Sequence, residues 1–114
     1  MLRVVSCLLL CLIPQLAPVT AQAEEAAFTA EQIKFFETHV RPLLIEKCFK
    51  CHSDQKQSGE FRLDSRGGLL AGGDSGPALD LEQPDKSLLL EAVRYESYEM
   101  PPDGKLSPEK IAIL

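Results

Sequence analysis

Cys48-Phe49-Lys50-Cys51-His52 is the stretch that decides how this chain folds and what it holds. The spacing Cys-x-x-Cys-His matches a c-type haem attachment site. Two thiols add across the two vinyl groups of a haem and form thioethers. The intervening pair spaces the sulfurs to suit the vinyls. The adjacent His52 is then placed to offer a neutral imidazole nitrogen to iron. Cys48 and Cys51 are therefore the expected points of covalent attachment of haem c, and His52 its proximal ligand.

Working outward, the N-terminus accounts for the other cysteines. Residues 1–23 carry the pattern of a signal peptide. Arg3 supplies a positive start, Val4 to Ile13 an apolar run, and Ala21-Gln22-Ala23 a small-x-small cleavage site. The apolar run is short for a bilayer span, and Pro14 and Pro18 interrupt the residues after it. The alternative is an uncleaved N-terminal anchor. Lipidation at Cys7 or Cys11 is disfavoured: Cys7 has almost no apolar stretch before it, and Leu10 before Cys11 is bulky for that cleavage. Removing this segment leaves Cys48 and Cys51 alone in an exported, oxidising compartment, periplasmic or equivalent.

The chain has a formal net charge of −5. Loss of Arg3 with the leader takes it to about −6. Nucleic acid is disfavoured as a partner, because phosphate binding needs a basic face. Residues 24–114 suffice for one small domain with a modest side-chain core. With no tryptophan and few aromatics, a buried haem would supply apolar bulk that the side chains lack. No internal repeat is visible.

The expected elements are helical. Thr29-Ala30-Glu31-Gln32 fits a capping box, with Phe28 as a hydrophobic staple. Ile33, Phe36 and Val40 recur at helical spacing. Pro42 lacks a backbone donor, which predicts a kink or restart there. A second segment then carries Leu43, Leu44 and Ile45 into Cys48. Phe61 to Asp64 suggests a very short extended piece. Ser65 to Ala71 suggests one or two helical turns ended by Gly72-Gly73. Asp74-Ser75-Gly76-Pro77 reads equally as a plain connection or as backbone in close approach to a haem edge. Gln83-Pro84-Asp85 opens a helix with Leu88, Leu89, Ala92, Val93 and Tyr95 on its apolar face. Ser97 to Lys105 is a loop, and Ser107-Pro108-Glu109 begins a last helix. Its apolar end, Ile111, Ile113 and Leu114, wants a partner; the expectation is that the chain is a fragment ending within this helix.

Met100 is the candidate distal ligand. A methionine in a polar loop, followed by two prolines that stiffen the backbone, offers a soft thioether that suits haem iron. His39 is the rival. The alternatives to a haem site are a structural zinc module using Cys48, Cys51, His39 and a carboxylate, and a disulfide between Cys48 and Cys51, which closes too short a loop to stabilise much. Arg41, Lys56 and Arg62 are available to neutralise a haem propionate.

These residues carry a family resemblance. Phe35-Phe36 to Pro42-Leu43-Leu44, the run Cys48 to His52, Phe61-Arg62-Leu63-Asp64, Ala71-Gly72-Gly73-Asp74-Ser75-Gly76-Pro77, Pro84-Asp85-Lys86-Ser87-Leu88 and Met100-Pro101-Pro102 resemble the cytochrome c domain of planctomycete-type multidomain proteins, from about Gln32 to Leu114. The resemblance implies an all-α, class I cytochrome c-like fold around one haem, with His52 and Met100 as axial ligands. It also implies a domain that heads a longer exported protein. The C-terminal helix, which in such folds crosses the N-terminal one, looks truncated at Leu114. The expected function is one-electron transfer by covalently bound haem c, without catalysis of its own, to a redox partner or to downstream domains. The alternatives are a haem enzyme or small-ligand sensor with a displaceable Met100, and the zinc module.

Overall fold

A computed structural model describes residues 28–114. The expected signal peptide, with Cys7 and Cys11, lies outside the described residues. Thr29 opens the helical part through the capping box expected of it. Its Oγ1 accepts from Gln32 N–H at 3.1 Å, and Gln32 Oε1 accepts from Thr29 N–H at 2.9 Å. Helix α1, Ala30–Phe35, comes next. Phe28, expected as a hydrophobic staple, remains exposed, as do Ile33 and Phe36. The apolar spacing of this segment thus marks a helix without a buried face.

The division expected near Pro42 is present, with Pro42 in the first turn of a new α segment. The backbone winds from α1 through a π turn, Phe36–Val40, into α2, Arg41–Lys47. Arg41 N–H donates to the Phe36 carbonyl, five residues back. Both Val40 and Arg41 keep right-handed helical angles. A proline inside a regular α-helix clashes with the carbonyl four residues earlier. The wide turn relieves that crowding. The expected division at Pro42 is therefore a change of helical pitch.

α2 buries Leu43 and Leu44 and delivers Cys48 as its C-terminal cap. Three further helices are short: α3 Arg66–Ala71, α4 Leu88–Val93 and α5 Pro108–Ile111. No strand forms among the described residues; two isolated bridges, His52 with Gln57 and Gly73 with Gly76, tie loops together. The fold is all-α, as expected. Ser65 caps α3, accepting from Gly68 N–H at 3.1 Å. Gly72 ends it at φ +75°, where a Cβ would lie 2.2 Å from the Gly76 carbonyl oxygen. Only glycine fits there.

The helix expected from Gln83 starts later. Pro84–Lys86 makes a single 3₁₀ turn, and Ser87 is extended before α4 begins. Ser87 is buried, and its hydroxyl accepts from Asp80 N–H at 3.0 Å. That bond holds Ser87 in the preceding loop and delays the helix. Tyr95, expected on the apolar face of this helix, lies beyond its end at φ +62°.

Leu43, Val93 and Leu106 form the core cluster. Leu90, Ile111, Ile113 and Leu114 pack against it. The apolar end of the chain thus finds its partner within the domain, against α2 and α4. No helix among the described residues is long and apolar enough to cross a membrane.

Candidate haem site

The tight turn after α2 assembles the first half of the site. Cys48 and Phe49 N–H both donate to the Leu44 carbonyl, at 2.8 and 3.0 Å. Cys51 and His52 N–H both donate to the Cys48 carbonyl, at 3.1 and 3.0 Å. This folding back brings Cys48, Cys51 and His52 to the wall of one cavity of about 390 Å³. Met100, 48 residues after His52 in the sequence, lines the same cavity. All four residues expected at the site are therefore brought together.

The cavity is mostly apolar. Leu63, Ala78, Leu88, Leu89, Ala92 and Val93 form much of its wall, together with Pro101 and Pro102. Its size falls in the range of small-molecule and cofactor pockets. Neither cysteine is in a disulfide. Burial pushes the Cys48 thiol up to about 11, so it stays protonated at neutral pH. A thioether carries no charge, and burial in such a wall does not oppose it. The donor set and the apolar wall fit a haem held through Cys48 and Cys51.

His52 is oriented by its neighbours. Its Nδ1 lies 3.3 Å from the Phe61 carbonyl oxygen, and the Phe61 ring stands 5.5 Å away at a tilt of 60°. With the proton on Nδ1 donated to that carbonyl, the lone pair is left on Nε2. Leu63 N–H in turn donates to the His52 carbonyl at 3.0 Å. The short extended piece around Phe61 therefore serves as a splint for the histidine.

Met100 is held by its backbone. Its N–H donates to the Ala92 carbonyl at 3.2 Å, and the Tyr95 hydroxyl donates to the Pro101 carbonyl at 2.5 Å. At the cavity margin, the hydroxyls of Ser75 and Tyr98 share a hydrogen bond of 3.0 Å. That bond links the glycine-rich turn to the methionine loop. Gly73, Ser75 and Gly76 line the cavity, so the turn is wall as well as connection.

Other candidates are placed elsewhere. His39 is exposed, its ring 5.0 Å from that of Phe35, and does not line the cavity. Arg41 is paired with Glu37 at 2.7 Å and Arg62 with Asp64 at 2.9 Å; neither lines the cavity. Lys56 Nζ stands 3.9 Å from Cys51 Sγ. Among the described residues, no group of three or more His, Cys, Asp or Glu side chains is placed to hold a metal ion, so the tetrad imagined for zinc is not assembled.

Sequence reasoning missed Tyr95 and Tyr98. Their hydroxyl partners lie on other segments, and no local pattern announces such bonds. The Phe61 carbonyl was foreseeable only as some backbone acceptor.

An all-α domain with a Cys-x-x-Cys-His turn on an apolar cavity is the class of c-type haem proteins. A family model described as planctomycete cytochrome C matches residues 48–104. The chain belongs to that family, and with it to the haem-binding cytochromes c. Searches of curated proteins and of solved structures each gave no match.

Proposed function

We propose that this domain carries single electrons through one haem c, attached at Cys48 and Cys51 and ligated by His52 and Met100. The observation that carries this is the convergence of those four side chains on one apolar cavity. Bound haem c supplies reversible one-electron chemistry at its iron. Cys48 and Cys51 anchor it. Phe61 holds the His52 proton on Nδ1, which leaves Nε2 as the ligating atom. The Met100 thioether would be the second protein ligand to the iron, and a thioether favours the reduced state relative to a second histidine. The apolar wall excludes water and limits reorganisation when charge changes. Among the described residues, the cavity wall carries no carboxylate and no second histidine, the groups that acid–base chemistry on a bound small ligand calls on. This favours a carrier over a haem enzyme or gas sensor.

The domain is exported, and its electrons pass to a redox partner protein or to further domains of the same polypeptide. The test is optical. The chain is expressed with haem-attachment machinery in an exporting host. A low-spin ferric spectrum with a Met–iron charge-transfer band, and a reduced form indifferent to carbon monoxide, is expected. A high-spin spectrum would overturn the proposal.

A further inference from the structure

The end of α4 carries a tyrosine where the backbone favours glycine. Tyr95 sits at φ +62°, a region in which a Cβ crowds the following carbonyl. Such residues persist where their surroundings over-determine them. The surroundings here are specific. Tyr95 N–H donates to the Ala92 carbonyl at 3.1 Å. The Lys105 ammonium stands over its ring at 5.6 Å. Its hydroxyl reaches the Pro101 carbonyl at 2.5 Å.

Ala92 and Tyr95 therefore grip the chain on both sides of the Met100 side chain. The Ala92 carbonyl accepts from Met100 N–H at 3.2 Å, on the N-terminal side. The Tyr95 hydroxyl binds the Pro101 carbonyl, on the C-terminal side. Ala92 is itself part of the cavity wall, so the grip is referenced to the surface that the cofactor would meet. The Pro101 carbonyl also accepts from Gly104 N–H at 3.3 Å. Removing the tyrosine hydroxyl leaves that carbonyl one donor, and the loop keeps its turn.

We propose that Tyr95 is a positioning residue for the distal ligand. Its hydroxyl fixes the backbone after Met100 and holds the thioether in its ligating place. This rests on Met100 being the distal ligand. The left-handed backbone at Tyr95 is what turns the ring from α4 toward the methionine loop, and this accounts for a tyrosine where a glycine would fit more easily.

The test is competition by imidazole for the ferric iron of the full chain with haem attached. Apparent imidazole affinity rises with the fraction of molecules in which the thioether is released. Tyr95→Phe keeps the ring and loses one hydrogen bond. It is expected to bind imidazole roughly three- to tenfold more tightly than the wild type, with covalent haem and the Met–iron band retained. Tyr95→Gly suits the same backbone without strain, lacks the hydroxyl, and is expected to move the same way. Tyr98→Phe loses the bond to Ser75 but neither backbone grip, and is expected to shift affinity less. Unchanged affinity in either Tyr95 variant, or an equal or larger shift in Tyr98→Phe, would overturn the assignment. Met100→Ala separates the two levels. If imidazole affinity rises strongly there but not in the Tyr95 variants, the positioning role alone fails. If it does not rise there, Met100 is not the ligand and the underlying proposal fails as well.

Discussion

The Nδ1 atom of His52 lies 3.3 Å from the carbonyl oxygen of Phe61. That one relationship connects the histidine to a wall built by glycine. Phe61 is backed by Gly73, where a Cβ would meet the Phe61 Cβ at 2.8 Å and the Gly59 carbonyl oxygen at 2.4 Å. Asp74 N–H donates to the same Gly59 carbonyl at 2.9 Å. The segment holding the histidine and the turn after α3 thus touch through a position with no room for a side chain.

Gly73→Ala is expected to overpack this contact and destabilise the domain by about 1–3 kcal/mol. Gly72→Ala adds a positive φ to a closer clash and should cost at least as much. Gly76→Ala meets nothing within 4 Å and carries only the backbone cost of φ +96°. Denaturant titrations of the three variants check the order. Gly76→Ala as the most damaging of the three would contradict the packing described.

Met100→Ala is expected to keep covalent haem and lose the Met–iron charge-transfer band. The reduced protein should then take up carbon monoxide, and its reduction potential should fall, because the thioether no longer favours ferrous iron. An unchanged spectrum would remove Met100 from the site.

Cys48→Ala and Cys51→Ala each remove one thioether. Each is expected to weaken or abolish covalent attachment, read by haem staining after denaturing electrophoresis and by intact mass. Full retention of covalent haem in both variants would refute the attachment assignment.

The Arg62–Asp64 pair gives a pH prediction. The hydrogen bond from Arg62 holds the Asp64 carboxyl below its ordinary value, against the opposing effect of burial; the Asp54 N–H donates to the same carboxylate at 2.7 Å. A group depressed in the folded state stabilises above its unfolded value, about pH 4 for Asp. That contribution fades as pH falls through the folded value. The stability difference between wild type and Asp64→Asn should therefore be steady near neutrality and shrink below about pH 4. Urea titrations across pH measure it; a gap that widens in acid would reverse the sign.

Much of the architecture was legible because its cues are local. The Thr29 capping box, the Ser65 cap with Gly72 ending α3, and the Ser107 start of α5 each depend on residues within a turn of one another. The misjudged features depend on distant segments. The start of α4 was moved by the bond from Asp80 to Ser87. Tyr95 left the helix for a hydroxyl contact with Pro101. Helical spacing alone also did not reveal that α1 buries no residue.

By itself the sequence determined the Cys-x-x-Cys-His run, the family it resembles and the choice of Met100 over His39 as candidate ligand. Covalent spacing and residue chemistry suffice for those, since Cys48, Cys51 and His52 are neighbours along the chain. Only the tertiary structure decided that Met100 reaches the same cavity, that the Phe61 carbonyl orients His52, and that Tyr95 and Ala92 hold the methionine loop. Those relationships join segments far apart in the chain, and they exist only once burial of Leu43, Val93 and Leu106 has drawn the helices together.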